Sequence, residues 1–139
     1  MSIILDSGFL YALVDLDDSR SNRAFELLKH IQEQNFSQIL TVSPVIHEVH
    51  TLLIYRTNGN LHLLSVLHDL FWGKMKFFQI LEIYEKEWQE IALLLQKYVT
   101  PKKLLSFIDA ALIYTAVRLK ISRIVSFDSH FDGILDRLH

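Results

Sequence analysis

The chain has 139 residues, half of them apolar, a net charge of −2 from 14 Lys and Arg against 16 Asp and Glu, and no cysteine. Such a chain can bury one proper core, so a single domain over residues 1–139 is expected; a disulfide framework, a thiolate metal site and a generally basic nucleic-acid binder are excluded. No apolar run approaches the roughly 18 residues of a membrane span, and Met1-Ser-Ile-Ile-Leu-Asp6 has no basic lead and meets an acid too soon for a secretory signal, so a cytoplasmic location is expected.

Residues 2–5 read as a short buried strand ending at Asp6, with Ser7-Gly8 as the turn and Phe9 to Val14 as the first helix. Ligands of open α/β sheets bind beyond the carboxyl ends of strands, which makes Asp6 a site candidate. An Asp capping the following helix explains the same residue, and the local sequence leaves both open. Asp15, Asp17 and Asp18 precede a second helix from about Ser19 to Gln34, whose Ala24, Leu27, Leu28 and Ile31 repeat at helical spacing; helix capping and dipole compensation account for the acids.

Ile39 to Val42 is a second strand, and Ser43-Pro44 opens a third helix in the order of N-cap then Pro. Its apolar stripe is Val45, Ile46, Val49, Leu52 and Leu53, with Glu48 at the border, about 100° from the centre. From there a Glu can reach into a cleft or turn to solvent. His47-Glu48-Val49-His50 misses the zinc-protease spacing by one residue, and both histidines fall away from the stripe, so they are expected to face solvent.

After Asn58-Gly59-Asn60 comes a fourth helix, Leu61 to Phe71, ending at Gly73; Lys76 to Leu81 reads as a third strand. Glu85 to Tyr98 is a fifth helix, with Trp88, Ile91, Ala92, Leu94 and Leu95 inward and Glu85, Glu87 and Glu90 on a solvated outer face. The sixth helix begins near Ser106, and Ser106-x-x-Asp109 fits a capping box. Arg123 to Phe127 is a fourth strand that ends at Asp128 as the first ends at Asp6. Strands alternating with helices predict a three-layer α/β/α fold with a mostly parallel sheet of four to five short strands.

Asp6, Asp109 and Asp128 each lie at a strand's end or in a helix's first turn, so a doubly wound sheet can bring them to one edge. Carboxylates about 3–5 Å apart raise one another's pKa or gather hard divalent ions, and Mg²⁺ suits such oxygen donors. If Asp6, Glu48, Asp109 and Asp128 share one such pocket, the remaining surface carries 14 basic against 12 acidic residues. From Lys97 to Arg123 there are six basic residues and one acid, Asp109, so Lys102, Lys103, Arg118, Lys120 and Arg123 are candidate phosphate contacts, with Arg20, Arg23 and Arg56 as the next set. A phosphoacceptor receiver domain also uses Asp and Mg²⁺, but Asp6-Ser7 lacks the acidic pair it needs after the first strand, and no Lys follows the last strand.

Leu5-Asp6-Ser7, Glu48 in the third helix, Phe107-Ile-Asp109-Ala110 and Val125-Ser-Phe-Asp128-Ser-His-Phe131 together resemble the ordered acidic motifs of PIN-domain ribonucleases, particularly the VapC-like toxins of toxin–antitoxin pairs. The resemblance covers essentially the whole chain. It implies an endoribonuclease dependent on Mg²⁺ or Mn²⁺, usually a homodimer and often held inactive by a small antitoxin. It also implies that Asp6, Glu48 and Asp109 are metal ligands, that Asp128 (with Asp132 as its substitute) completes the pocket, and that Ser126 and Ser7 support it. Ser21-Asn22 stands where many relatives carry a His, a departure that bears on substrate contacts. A housekeeping PIN nuclease without an antitoxin and a catalytically silent PIN-like binding module are the alternative functions.

Overall fold

The computed structural model describes residues 1–139. Five strands form one all-parallel sheet: β1 (Ser2–Leu5), β2 (Gln38–Val42), β3 (Gln79–Leu81), β4 (Arg123–Val125) and β5 (Asp136–Leu138), in the spatial order β3-β2-β1-β4-β5. Six helices connect them: α1 (Ser7–Val14), α2 (Ser21–Glu33), α3 (Ser43–Thr57), α4 (Leu61–Trp72), α5 (Glu85–Tyr98) and α6 (Phe107–Leu119). The chain moves outward from β1 to β2 and β3, then returns across β1 to β4. With right-handed crossovers this puts α1 to α4 on one face and α5 and α6 on the other, in keeping with the packing of α1 on α2 and α3 and of α5 on α6. The reversal between β1 and β4 is the topological switch point, where open α/β sheets leave a crevice beyond their carboxyl ends.

Burial on both faces explains why β1 reads as an unbroken apolar run: Ile3, Ile4 and Leu5 are all fully buried. Helix α1 is apolar all round for the same reason, since every residue from Phe9 to Val14 is buried. In α6, Ala110, Ala111 and Ala116 are fully buried beside Leu112 and Ile113, small side chains that let the helix lie close to the sheet. At Gly73, which closes α4, a Cβ would come within 2.9 Å of the Asp69 Cα, so only glycine fits there.

Several elements differ from the sequence expectation. Helix α1 begins at Ser7, because Asp6 is its N-cap. Ser43 is itself the first residue of α3; its hydroxyl accepts from the Ile83 amide at 2.9 Å and ties α3 to the loop after β3. The third strand is only Gln79–Leu81: Phe77 and Phe78 leave the ladder and pack edge-to-face, with Phe78 also against Phe71 at 5.7 Å. The fourth strand stops at Val125. The fifth, Asp136-Arg-Leu138, is too short and polar to show a period, yet it pairs in parallel with β4 along the edge. The acids before α2 cap turns instead of that helix: Asp15 accepts from the Tyr11 hydroxyl and the Asp17 amide, and Asp18 from the Arg20 amide. His47 is exposed, whereas His50 is half-buried, its Nδ1 2.6 Å from the Ile46 carbonyl and its ring stacked on Phe71 at 5.8 Å.

The largest inversion is in α5. Trp88, expected inward, is 55 % exposed, while Glu87, expected on a solvated face, is buried. Glu87 closes a capping box on the Tyr84 amide at 2.9 Å and takes the Arg118 guanidinium of α6 at 2.5 Å. A carboxylate can replace a large apolar side chain inside only where its oxygens are satisfied in this way. Arg118→Ala should therefore destabilise the protein by about 1–2 kcal/mol by leaving a buried acceptor unpaired, and Glu85→Ala should change stability by less than about 0.5 kcal/mol; denaturant unfolding of both variants checks the contrast.

Candidate active site

Four carboxylates meet beyond the carboxyl ends of β1 and β4. A cleft of about 510 Å³ is lined by Asp6, Ser7, Glu48, Asp109 and Asp128, with Ser106, Ser129 and His130 on the same walls and Arg20 and Arg56 at its side. Asp6 follows β1 and is fixed by its amide, which donates to the Val125 carbonyl at 3.0 Å. Its two oxygens divide the work that the sequence left open: Oδ1 caps α1 by accepting from the Ser7 amide at 2.7 Å, and Oδ2 accepts from the Ser126 hydroxyl at 2.5 Å. Ser126, fully buried, also accepts from the Asp128 amide at 3.0 Å, so one hydroxyl links the acids of the two strand ends. Asp109 behaves likewise, with Oδ2 closing the capping box on the Ser106 amide at 2.8 Å while the carboxylate faces the cleft.

Burial pushes the Asp6 carboxyl up to about 7, with Asp109 and Glu48 adding repulsion and the Ser126 and Ser7 hydrogen bonds opposing it. Glu48 and Asp109 are raised too, in both cases first by burial. For Glu48 the Ser7 hydroxyl, which also lies 3.3 Å from Asp6 Oδ1, works against the rise, and the charges of Asp109 and Asp128 add to it. Three neighbouring acids that resist ionisation are a place where a cation is favourable.

Sequence reasoning did not select His130. It sits in the 3₁₀ turn Ser129–Phe131, which Asp128 caps by accepting from the His130 amide at 2.9 Å. The tight turn folds the ring back, and ligand atoms of Asp109, Asp128 and His130 all lie within 4.8 Å of one another. His130 Nδ1 is 3.1 Å from Asp128 Oδ1 but outside hydrogen-bond geometry, leaving a buried nitrogen without a partner. The carboxylate oxygens suit a hard divalent cation, whereas the imidazole nitrogen beside them is a donor that softer metals prefer. The Asp-Ser-His spacing was the available signal, read only as part of the fourth motif.

Asp132 stays out of the cleft: it forms a two-pronged ion pair with Arg137 at 2.7 and 3.1 Å, which holds its carboxyl below the usual range. The five candidate phosphate contacts do not line the cleft either. Lys102 and Lys103 lie just before Leu104 at its rim, and Lys103 Nζ donates to the Asp132 carbonyl. Arg118 is bound to Glu87, while Lys120 ends α6 and Arg123 begins β4, both at the opposite edge of the sheet. Arg23 pairs with Glu26 and the His139 carbonyl, away from the acids.

A parallel sheet whose switch point carries a cluster of carboxylates defines an α/β protein with side chains at its strand ends that could hold a metal ion. The chain belongs to the PIN-domain family, whose profile matches residues 3–134. No curated protein matches it in sequence. Among solved structures it is similar to VapC20 of Mycobacterium tuberculosis, described as a sarcin-ricin loop cleaving toxin, at 18 % identity with a TM-score of 0.73 over 94 % of this chain and 93 % of that one. It is also similar to PAE2754 of Pyrobaculum aerophilum, at 18 % identity and a TM-score of 0.63, covering 97 % of this chain and 88 % of that one. FitAcB of Neisseria gonorrhoeae gives 13 % identity and a TM-score of 0.65, covering 99 % and 96 %. At such identities the likeness is one of fold.

Proposed function

We propose that the chain is a Mg²⁺-dependent endoribonuclease that hydrolyses RNA phosphodiester bonds, and that it is the toxin of a toxin–antitoxin pair. The observation that carries the reading is the gathering of Asp6, Glu48, Asp109 and Asp128 in one cleft, where burial raises the carboxyls of the first three. These four acids would hold the ion, with Mn²⁺ as a substitute, and His130 has a ligand atom within 4.8 Å of those of two of them, Asp109 and Asp128. When bound, the ion supplies Lewis-acid polarisation of a phosphate oxygen and lowers the pKa of an attacking water.

The protein's own residues fix the geometry for that chemistry. Ser126 holds Asp6 and the Asp128 backbone in register, the α1 amide of Ser7 fixes the other Asp6 oxygen, and Ser106 orients Asp109. The toxin reading draws on the fold shared with VapC20 and FitAcB; an antitoxin partner and a homodimer are proposed with it. A cytoplasmic location goes with the same reading; no helix is long and apolar enough to cross a membrane.

The test is cleavage of single-stranded RNA by the purified chain with Mn²⁺, repeated with EDTA, together with co-purification against the product of the neighbouring reading frame and a sedimentation measurement. Metal-dependent cleavage blocked by that product is the expected result. Cleavage without such a partner would leave a housekeeping nuclease, and a chain that neither cleaves RNA nor binds Mn²⁺ would be a silent binding module.

A further inference from the structure

The acids account for a cation, but they repel the polyanion that must reach it. Two guanidinium groups, Arg20 and Arg56, stand in the wall of the same cleft, and both converge on one acid outside it. Arg20 Nε lies 3.4 Å from Asp18 Oδ1 and Arg56 NH1 lies 3.7 Å from Asp18 Oδ2, with the Asp18 side chain only 10 % exposed. Each guanidinium also covers an aromatic ring, Arg20 over Phe127 at 5.1 Å and Arg56 over Tyr11 at 5.0 Å. Tyr11 is pinned in turn by its hydroxyl on Asp15 at 2.5 Å. Four separate parts of the chain thus hold two planar forks in place: α1, the loop after it, α3 and the end of β4.

One carboxylate shared by two guanidinium groups leaves the triad with a positive charge, and most of their N–H groups have no protein acceptor. Arg20 NH1 lies 4.0 Å from the place a Cβ would occupy at Gly8, which follows Asp6 and Ser7 in the chain. The two arginine side chains are 38 % and 47 % exposed, and pairs so open to solvent contribute little to stability, so the fold alone does not account for the convergence. Forks of this shape match the oxygens of a phosphodiester.

Resting on the endoribonuclease reading, we propose that Arg20 and Arg56 clamp a phosphodiester of the RNA strand beside the scissile one, and that Asp18 is the positioning residue that aims them. A reacting phosphate must enter this cleft, so its neighbour along the strand passes over this wall. An acidic peptide could use the same forks, and the test separates the two.

The experiment measures binding of a single-stranded RNA and its Mn²⁺-dependent cleavage by the full chain, with Mn²⁺ titration and thermal melting of each variant as controls. Arg20→Ala and Arg56→Ala should each raise KM about tenfold or more and flatten the salt dependence of binding by about 0.7 in log–log slope. Arg20→Lys, which keeps the charge and loses the fork, should fall between wild type and Arg20→Ala. Asp18→Asn leaves both cations but frees them: kcat should fall about tenfold without a rise in KM, and Asp18→Glu should recover part of it. A residue that merely supported the fold would not divide kcat from KM in this way. Wild-type KM and salt slope in both Arg→Ala variants, with Mn²⁺ binding retained, would overturn the clamp; if those variants instead lost inhibition by a poly-Glu peptide, the forks would belong to an acidic protein partner. RNA binding that depends on both arginines in a chain that never cleaves would overturn the nuclease reading and leave the clamp standing.

Discussion

Asp6→Asn and Asp109→Asn are each expected to lower Mn²⁺-dependent RNA cleavage by more than about 10²-fold, since loss of mere outer-shell partners in metal sites already costs about 10–100-fold. The variants should fold. Asn caps helices about as well as Asp, and the capping contacts here are single: Asp6 Oδ1 to the Ser7 amide and Asp109 Oδ2 to the Ser106 amide. An amide oxygen can keep either one. What Asn removes is the negative charge turned into the cleft beside Glu48 and Asp128. Cleavage assays at saturating Mn²⁺, paired with far-UV circular dichroism, separate the two roles. Activity near wild type in both variants would mean that these acids are caps and nothing more.

The sheet was legible because its central strands are buried on both faces. Ile3 to Leu5 and Leu40 to Val42 lie inside the core, so their mainly apolar, β-branched sequence, broken only by the buried Thr41, survives as a local signal. The edge strands carry a weaker signal: β3 was expected from Lys76 but pairs only from Gln79, and β5 was not read at all. Asp136 to Leu138 is three residues long, too short to show a period, and Phe77 and Phe78 answer to an aromatic cluster and not to a ladder. In α5 the expected face holds at Ile91, Leu94 and Leu95 and fails only in the first turn, where Glu87 is buried and Trp88 exposed. Period alone cannot tell Trp88 from its neighbour Glu87 when an ion pair from α6 satisfies the buried acid.

The acidic residues were legible because the parallel topology fixes where strand ends and first turns go. Asp6 and Asp128 follow neighbouring strands, and Asp109 opens the helix that returns to β4. Cations have no such rule. The lysines and arginines from residue 97 to 123 fall in one stretch of sequence, yet α6 rises about 1.5 Å per residue and carries Arg118, with Lys120 just past its end, away from the cleft. Arg20 and Arg56 are 36 positions apart in the chain and meet only at Asp18. His130 was hidden by a turn whose backbone course the letters do not specify.

Without divalent cations, the folded protein should lose stability as the pH rises from 5 to 8, and added Mn²⁺ should restore it. The sign follows from Asp6. Its carboxyl titrates at about 7 in the fold against an ordinary value of 3.8, because burial disfavours the charge more than Ser126 and Ser7 relieve it. The folded state therefore holds a proton that the unfolded chain has released, so stability is full below about pH 4 and is lost as pH climbs to about 7. The difference corresponds to at most on the order of 4 kcal/mol, which is roughly 14 °C in Tm for a domain of this size. Glu48 and Asp109, both raised, act in the same direction. Asp132 acts in the opposite direction, but its carboxyl is lowered by Arg137 and titrates below this window. A cation bound only by the folded state at a hundredfold its Kd would return about 2.7 kcal/mol. Asp6→Asn cannot ionise, so in EDTA at pH 8 it should melt higher than wild type, with a shallower pH dependence and a smaller response to Mn²⁺. Thermal melts at pH 5, 6.5 and 8, with EDTA or Mn²⁺, give the comparison. If the wild-type Tm in EDTA were flat over that range, or Asp6→Asn followed the same pH curve, the buried carboxylates would be ionising freely and the cleft would have no need of a cation.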